Sequence, residues 1–170
     1  MASARTFFTF PNPVNEVAAR TVATGVVVMG LAVAALGWGW VLVPLTYGFV
    51  ARVLAGPRIS PLGQLAVRVV APRLSAHERL VPGPPKRFAQ GIGVVFSITA
   101  SVLWLVGAPG AARVVIAMLV VAAALEAALG FCLGCRIFGL LMRAGVIPDD
   151  VCADCNDLTR RYPELATAER

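Results

Sequence analysis

Residues 22 to 50 of the chain read VATGVVVMGLAVAALGWGWVLVPLTYGFV and contain no charged side chain. As one straight α-helix this stretch would be about 43 Å long, whereas the hydrocarbon core of a bilayer is about 30 Å thick. Residues 37–40 (GWGW) lie near its middle, where the glycines permit a turn and the tryptophans favour the headgroup level, and Pro44 disfavours an unbroken helix. The stretch therefore predicts a hairpin of two short membrane helices, Thr21–Gly37 and Trp38–Leu54.

The whole chain has the composition of a membrane protein. Of its 170 residues, 58% are hydrophobic and only 14% are charged, and the mean hydropathy is +0.79, outside the usual range of soluble domains. Two further apolar segments, Phe88–Val106 and Ala111–Met142, predict a third and a fourth membrane helix on either side of a turn at Gly107–Gly110. We therefore expect an all-α fold with four transmembrane helices over residues 1–145, followed by a cysteine-containing cytoplasmic tail over residues 146–170.

The basic residues indicate how these spans are oriented. In a four-span chain the two tails and the central segment share one side, and fourteen of the fifteen lysines and arginines then lie on it, Arg113 being the exception. By the positive-inside rule this side is the cytoplasm. We expect a multi-pass protein of the cell (inner) membrane with both termini cytoplasmic. The net charge of +6 then reflects orientation in the lipid bilayer, and no nucleic-acid partner is expected because no reading element accompanies it.

The segment between the second and third spans carries an amphipathic pattern. Within Pro61–Val70, apolar side chains recur at helical spacing on Leu62, Leu65, Ala66 and Val69. The pattern predicts an interfacial helix that either lies flat on the inner leaflet or packs beneath the bundle.

All four cysteines fall into two CxxC pairs, Cys132 with Cys135 and Cys152 with Cys155, separated by sixteen residues. This spacing is found in zinc sites, and a single CxxC is also a thiol–disulfide pair. Because the first pair follows about twenty residues of the predicted fourth helix, the helix dipole is expected to oppose thiolate formation there. The second pair lies in the polar tail, nearer a predicted helix start. Thiolate at the first pair would be stabilised by nearby basic side chains, namely Lys86, Arg87 and Arg136.

Three interpretations of the cysteines stay open. In the first, Cys132 and Cys135 exchange electrons or sulfur, and Cys152 and Cys155 relay to a soluble partner. In the second, all four thiolates hold a structural zinc ion in a non-enzymatic membrane scaffold. In the third, the cysteines are inert, small apolar side chains of buried helices.

Glu126 is the only acidic residue within a predicted span, and a charge inside a bilayer is a candidate functional group. A small-solute transporter that uses Glu126 is therefore a further alternative. On an ideal continuous helix Cys135 would lie about 180° around the axis from Glu126, so no direct partnership between them is expected. A structural role through a hydrogen bond is the other interpretation, with candidate partners Gln90, Ser97, Thr99 and Ser101.

Several common chemistries are excluded by their missing motifs. His77 is the sole histidine, so neither bis-histidine haem ligation nor an HExxH zinc site is available. The chain contains no Walker loop and no GxSxG nucleophile elbow. Energy coupling by nucleotide hydrolysis is not indicated.

Three segments together resemble a family of small bacterial membrane proteins. They are Phe10-Pro-Asn-Pro-Val-Asn15, Gly83-Pro-Pro-Lys-Arg-Phe-Ala-Gln90 and Gly130-Phe-Cys-Leu-Gly-Cys135. The family they resemble is domain of unknown function 4395, over about residues 10–143. The resemblance implies a four-span fold and no established activity. Because relatives lie near thioredoxin-like and sulfurtransferase genes, it favours thiol or sulfur chemistry with such a protein as partner. The second CxxC pair is not part of the family pattern, so a metal site built from all four cysteines would depart from it.

Overall fold

The computed structural model describes residues 10–74, 80–152 and 155. Within them the chain is almost entirely helical, and the predicted all-α fold is confirmed. Short 3₁₀ turns connect or follow the helices at Gly39–Val41, Gly56–Arg58 and Asp149–Cys152. The main elements in chain order are β1 (Val14–Asn15), α1 (Glu16–Ala34), α2 (Leu42–Ala55), α3 (Pro61–Leu65), β2 (Leu80–Val81), α4 (Gly83–Leu105), α5 (Pro109–Leu129) and α6 (Leu133–Arg143).

Four helical stretches are long and apolar enough to cross a membrane, namely Glu16–Ala34, Gly39–Arg58, Gly83–Leu105 and Pro109–Leu129. The predicted hairpin is correct, because the chain turns between α1 and α2 at Gly37, whose φ of 72° is a conformation that favours glycine. The Arg113 guanidinium lies directly against Gly37. This contact places Arg113 at the end of the bundle opposite to the cysteines, as the charge count predicted.

The four long helices pack through small and branched apolar side chains. Helix α1 lies along α5, α2 lies along α4, and α4 also contacts α5. The central core contains Val33, Leu45 and Ile116, all fully buried. Gly93 of α4 lies against the ring of Phe49 on α2 with no room for a side chain of its own, the close approach that small residues allow between membrane helices.

The amphipathic segment after α2 is helical, but its helix type changes along its length. Helix α3 continues into a π-helical segment, Ala66–Val70, and a last turn at Ala71–Arg73. Ala66 and Ala71 are buried against α1, whereas Leu65 and Val69 are exposed. The predicted helix is present, and a π-helical segment, whose hydrogen bonds join residues five apart, interrupts the regular spacing of its apolar stripe. One face of the segment packs beneath the bundle, and the other is exposed.

Polar contacts tie the starts of α1 and α4 together. The Asn15 side chain caps α1 by accepting a hydrogen bond from the backbone N–H of Val17 at 2.8 Å. Strands β1 and β2 pair in antiparallel register, with Asn15 opposite Leu80. The Asn12 side chain accepts a hydrogen bond from the Gly83 N–H at 2.9 Å. These contacts fix the end of the bundle at which the first cysteine pair lies.

The predicted continuous fourth helix over Ala111–Met142 is wrong. Helix α5 ends at Leu129, and Gly130 adopts a left-handed conformation with φ of 67°. The Gly130 N–H bonds the carbonyl of Glu126 at 2.9 Å, and the next N–H bonds the carbonyl of Leu125 at 3.2 Å, the hydrogen bonds of a glycine-terminated helix. A new helix, α6, then begins beyond Cys132.

Candidate functional site

Cys132 is the N-cap of α6. Its backbone is extended, and its sulfur accepts a hydrogen bond from the backbone N–H of Cys135 at 3.4 Å. Cys132 is buried and Cys135 is half-buried, and both are free thiols. The positive end of the dipole of an 11-residue helix therefore faces Cys132. The expectation that the dipole opposes thiolate formation was wrong, because the helix break at Gly130 moves the pair from a helix end to a helix start.

The pKa values of the two thiols are shifted in opposite directions. The hydrogen bond from the Cys135 thiol lowers the pKa of Cys132, against the opposing effects of burial and the Glu126 carboxylate, and the Lys86 ammonium and the Cys135 backbone N–H add to the lowering. The same hydrogen bond, burial and the charge of Cys132 raise the pKa of Cys135. Cys132 is thus the favoured thiolate and Cys135 the favoured thiol.

A close contact between helices holds the pair in place. If Gly134 carried a Cβ, that atom would lie 2.6 Å from the Cβ of Ala89 on α4 and 2.7 Å from its Cα. Only glycine at this position lets the first turn of α6 dock so closely on α4. The contact brings the cysteine pair to the first turns of α4, where Lys86 lies.

Lys86 and Glu126 form an ion pair beside the cysteines. The Nζ of Lys86 lies 2.5 Å from Oε1 of Glu126, and their side chains are only 9% and 16% exposed. Charges of both residues act on the thiols. The separation of about 180° expected on a continuous helix does not apply, because the chain bends between Glu126 and the cysteines. The carboxylate acts on the thiols through its charge, and its hydrogen bond is to Lys86. Its partner is the lysine, rather than the predicted candidates Gln90, Ser97, Thr99 or Ser101.

Gln90 instead belongs to a buried polar cluster around Arg52. Its Oε1 accepts a hydrogen bond from Nε of Arg52 at 2.8 Å. Arg52 is 4% exposed, donates to the Ser60 hydroxyl at 3.3 Å and lies 4.7 Å from the centre of the Phe49 ring. The sequence reasoning missed this cluster, although an arginine in the last turn of a predicted span signals a buried or paired charge.

The other two predicted thiolate-stabilising residues have different surroundings. Arg87 directs its Nε to the carbonyl of Val53 at 3.1 Å, at the end of α2. Arg136 lies 5.3 Å from the centre of the Phe131 ring and borders the same cleft as Cys135. Lys86 is therefore the cation of the three that acts on the thiols most directly.

Two cavities meet at Cys132. One is an apolar cavity of about 330 Å³ among α1, α2, α4, α5 and α6, which is also bordered by Glu126 and Gln90. The other is a more polar cleft of about 950 Å³, bordered by Lys86, Cys135 and Cys155. Cys132 lines both cavities. Cys132 is thus accessible from an apolar cavity inside the bundle and from a polar cleft at its end, and Cys135 borders the cleft.

The second cysteine pair is a disulfide between Cys152 and Cys155. Cys152 is buried against Phe138 and Met142 of α6, and Cys155 borders the polar cleft. In this state the two sulfurs are bonded to each other, and the residues that the structure describes contain no group of three or more metal-ligating side chains. All four cysteines are therefore brought to one end of the bundle, as one free pair and one disulfide.

Comparison with known proteins assigns the family. Residues 14–143 match the family described as Domain of unknown function (DUF4395). No curated protein and no solved structure is significantly similar to the chain. The matched range includes the first cysteine pair and ends before the second. Because the match covers about three quarters of the sequence and agrees with the resemblance of its three segments, the chain belongs to the family Domain of unknown function (DUF4395).

Proposed function

We propose that the protein is a membrane thiol–disulfide exchange protein whose working pair is Cys132 and Cys135. The observation that carries the proposal is the placement of Cys132 at the start of α6, with the Cys135 N–H at 3.4 Å. A helix N-terminus, a sulfur-directed N–H and a nearby ammonium group are the features that favour a reactive thiolate. The CxxC spacing then supplies the second thiol.

The exchange begins with attack of the Cys132 thiolate on one sulfur of a partner disulfide. The partner's S–S bond breaks, a mixed disulfide with Cys132 forms, and the partner's other sulfur leaves as a thiolate that takes up a proton. Two features that raise the pKa of Cys135, namely the charge of Cys132 and the hydrogen bond to it, are lost at this step. Cys135 is therefore easier to deprotonate once the mixed disulfide exists.

The second step releases the partner. Cys135 loses its proton and attacks the Cys132 sulfur, the mixed disulfide breaks, and a Cys132–Cys135 disulfide forms while the partner leaves as a dithiol. Two electrons have passed from the protein to the partner. The reverse sequence oxidises the partner and reduces the protein.

The Cys152–Cys155 disulfide is suited to relay electrons to a soluble protein. Cys155 borders the same cleft as Cys135, so the two pairs open onto one polar space. The basic residues favour a cytoplasmic position for this end of the bundle, in the cell (inner) membrane with both termini inside. In that reducing compartment a disulfide is commonly transient and catalytic, and a thioredoxin-like or sulfurtransferase protein is the partner that we propose.

The exchange can be tested on the purified protein with oxidised glutathione. In a Cys152→Ser/Cys155→Ser background, a further Cys135→Ser substitution should trap a glutathione adduct on Cys132, since the resolving thiol is absent. The same background with Cys135 intact should release glutathione and end as a Cys132–Cys135 disulfide. An adduct found on Cys135 of the protein that retains it, or no adduct on Cys132, would reject the proposal.

The other interpretations give different results with the purified, reduced protein that retains all four cysteines. In a sulfur relay, incubation with inorganic polysulfide would leave Cys132 heavier by one sulfur atom, using the same nucleophile. A structural zinc site would appear as stoichiometric zinc bound by all four cysteines after reduction. A transporter that uses Glu126 would move solute in proteoliposomes and lose that movement on substitution of Glu126, whatever the state of the thiols.

A further inference from the structure

The apolar cavity behind Cys132 is placed to receive a molecule from the bilayer. Most of its lining is apolar. Three lining residues, Met118, Leu133 and Ile137, are 52%, 44% and 37% exposed, and Met118 belongs to α5, which is long and apolar enough to cross a membrane. Its volume of about 330 Å³ lies at the lower end of the range for small-molecule sites. The cavity therefore has accessible lining residues on the apolar helix α5 and at the start of α6.

Polar groups border this cavity at its Cys132 end. Gln90 borders it, and because its amide oxygen is bonded to Arg52, its amide nitrogen is the group left to donate a hydrogen bond to a ligand. Glu126 also borders it and is paired with Lys86. A ligand would thus meet the Cys132 sulfur, an amide donor and the carboxylate of an ion pair. Such an end suits an apolar molecule that carries hydrogen-bond acceptors.

We infer that this cavity binds a membrane-soluble quinone that exchanges electrons with Cys132 and Cys135. The inference rests on the proposed thiol–disulfide function, and it adds the second substrate. A carrier that enters from lipid must be apolar, an acceptor for a dithiol must take two electrons, and a ligand for the amide of Gln90 must offer an oxygen. A quinone has all three properties, whereas a lipid acyl chain has only the first.

The electrons balance without a further oxidant or reductant, and one proton is taken from water. The Cys132 thiolate adds to a ring carbon of the quinone and forms a C–S bond. The Cys135 thiolate then attacks the Cys132 sulfur, so that an S–S bond forms, the C–S bond breaks and its electron pair stays on the ring. The quinone gains two electrons. One of its two protons comes from the Cys135 thiol, and the other, which Cys132 gave up on forming its thiolate, returns from water in the polar cleft. The products are one quinol and one Cys132–Cys135 disulfide.

This path gives Cys132 a position between two substrates. Through the polar cleft it meets a protein disulfide or dithiol, and through the apolar cavity it meets the quinone. Cys135 borders the cleft and serves both reactions as the resolving thiol. Electrons would therefore pass between a soluble thiol protein and the quinone pool across one cysteine pair.

The test uses decylubiquinone and the reduced Cys152→Ser/Cys155→Ser protein in detergent without oxygen. Quinol formation is followed by ultraviolet absorbance, and disulfide formation by mass spectrometry. Ala122→Phe should fill the cavity, and Met118→Trp should narrow its lipid-side mouth from an exposed position. Each substitution should lower the ratio of the quinone-driven oxidation rate to the glutathione-driven oxidation rate by about tenfold. A tenfold change in rate corresponds to a loss of roughly 1.4 kcal/mol of transition-state stabilisation.

The matched control is Val121→Phe, whose site is adjacent to Ala122 but is 62% exposed and outside the cavity lining. We expect this variant to oxidise at the rate of the parent protein. Equal rates in the cavity variants and the control would mean that quinone reacts elsewhere, and would overturn the inference. A protein that reacts with oxidised glutathione but forms no quinol would overturn the inference and leave the proposed exchange function standing. A protein that reacts with neither would reject both.

Discussion

Gly134 of α6 and Ala89 of α4 are so close that a Cβ on the glycine would lie 2.6 Å from the Cβ of the alanine. This contact is within the Cys132–Cys135 motif and joins it to the helix that carries Lys86. The glycine therefore has a role in placing the site as well as in packing. Without it, α6 would have to move away from α4 and from the ammonium group.

The first prediction compares two glycines of the same helix. Gly134→Ala should destabilise the protein by about 1–3 kcal/mol, because a buried methyl group would overlap Ala89. Gly139→Ala is the control, since nothing lies within 4 Å of a Cβ at that position, and it should be neutral or stabilising by up to about 1 kcal/mol because alanine favours helix. Thermal unfolding in detergent measures both. Equal losses in the two variants would contradict the close contact.

The second prediction compares the effects of two neighbouring cations, Lys86 and Arg87, on the reactivity of Cys132. Lys86→Gln should slow alkylation of Cys132 at neutral pH, because loss of the ammonium raises the pKa of that thiol. The thiolate fraction falls by about tenfold for each unit by which the pKa exceeds the pH. Arg87→Gln is the matched control, because the Arg87 side chain bonds the Val53 carbonyl instead. Iodoacetamide labelling followed by mass spectrometry gives both rates. A larger effect from Arg87 than from Lys86 would refute the assignment of the cation.

The third prediction is a faster alkylation of Cys132, the opposite of the effect expected for Lys86→Gln. The Glu126 carboxylate raises the pKa of Cys132, so Glu126→Gln should speed alkylation of Cys132 at neutral pH. The double variant Lys86→Gln/Glu126→Gln removes both charges and should lie between the two single variants. The same labelling experiment measures this series. If Glu126→Gln slowed the reaction, the carboxylate would have to favour thiolate formation through a contact that the structure does not contain.

The four-span fold could be predicted because its signals are local. Residues 37–40 combine a turn-forming glycine with headgroup-seeking tryptophans, and the structure turns there. The third membrane span, α4, begins at Gly83, five residues before its predicted start at Phe88. The prediction used hydropathy, which takes no account of the prolines that favour a first helical turn. Boundaries of this kind depend on backbone geometry more than on apolarity.

The site itself could be predicted only in part. Its cysteines and Lys86 were found from spacing and charge, but the helix break at Gly130 was not, because the apolar pattern runs through it. A glycine just after an apolar helix is a recognised helix-end signal, and it was available in the sequence. Lys86 and Glu126 are forty residues apart in the sequence and lie on different helices. The spacing of apolar residues within one helix cannot predict a contact between two helices.

The fourth prediction concerns orientation. Reporter fusions after Arg68 and Tyr162 should be cytoplasmic, and fusions after Trp38 and Gly110 should be on the other side of the membrane, because the basic residues concentrate at one end. Alkaline phosphatase and fluorescent-protein fusions report the two sides with opposite signals. If Arg68 and Tyr162 appeared on different sides, the four-span arrangement would be wrong.

The most direct test of the account is the pH dependence of alkylation at each cysteine of the reduced Cys152→Ser/Cys155→Ser protein. The midpoint of each rate profile along the pH axis is compared, since differences in accessibility change the height of a profile and not its midpoint. Because thiolate is the reactive form and the pKa of Cys132 is lowered while that of Cys135 is raised, Cys132 should react first, with a midpoint below the ordinary thiol value of about 8.5. A midpoint for Cys132 at or above that value, or earlier reaction of Cys135, would contradict the account.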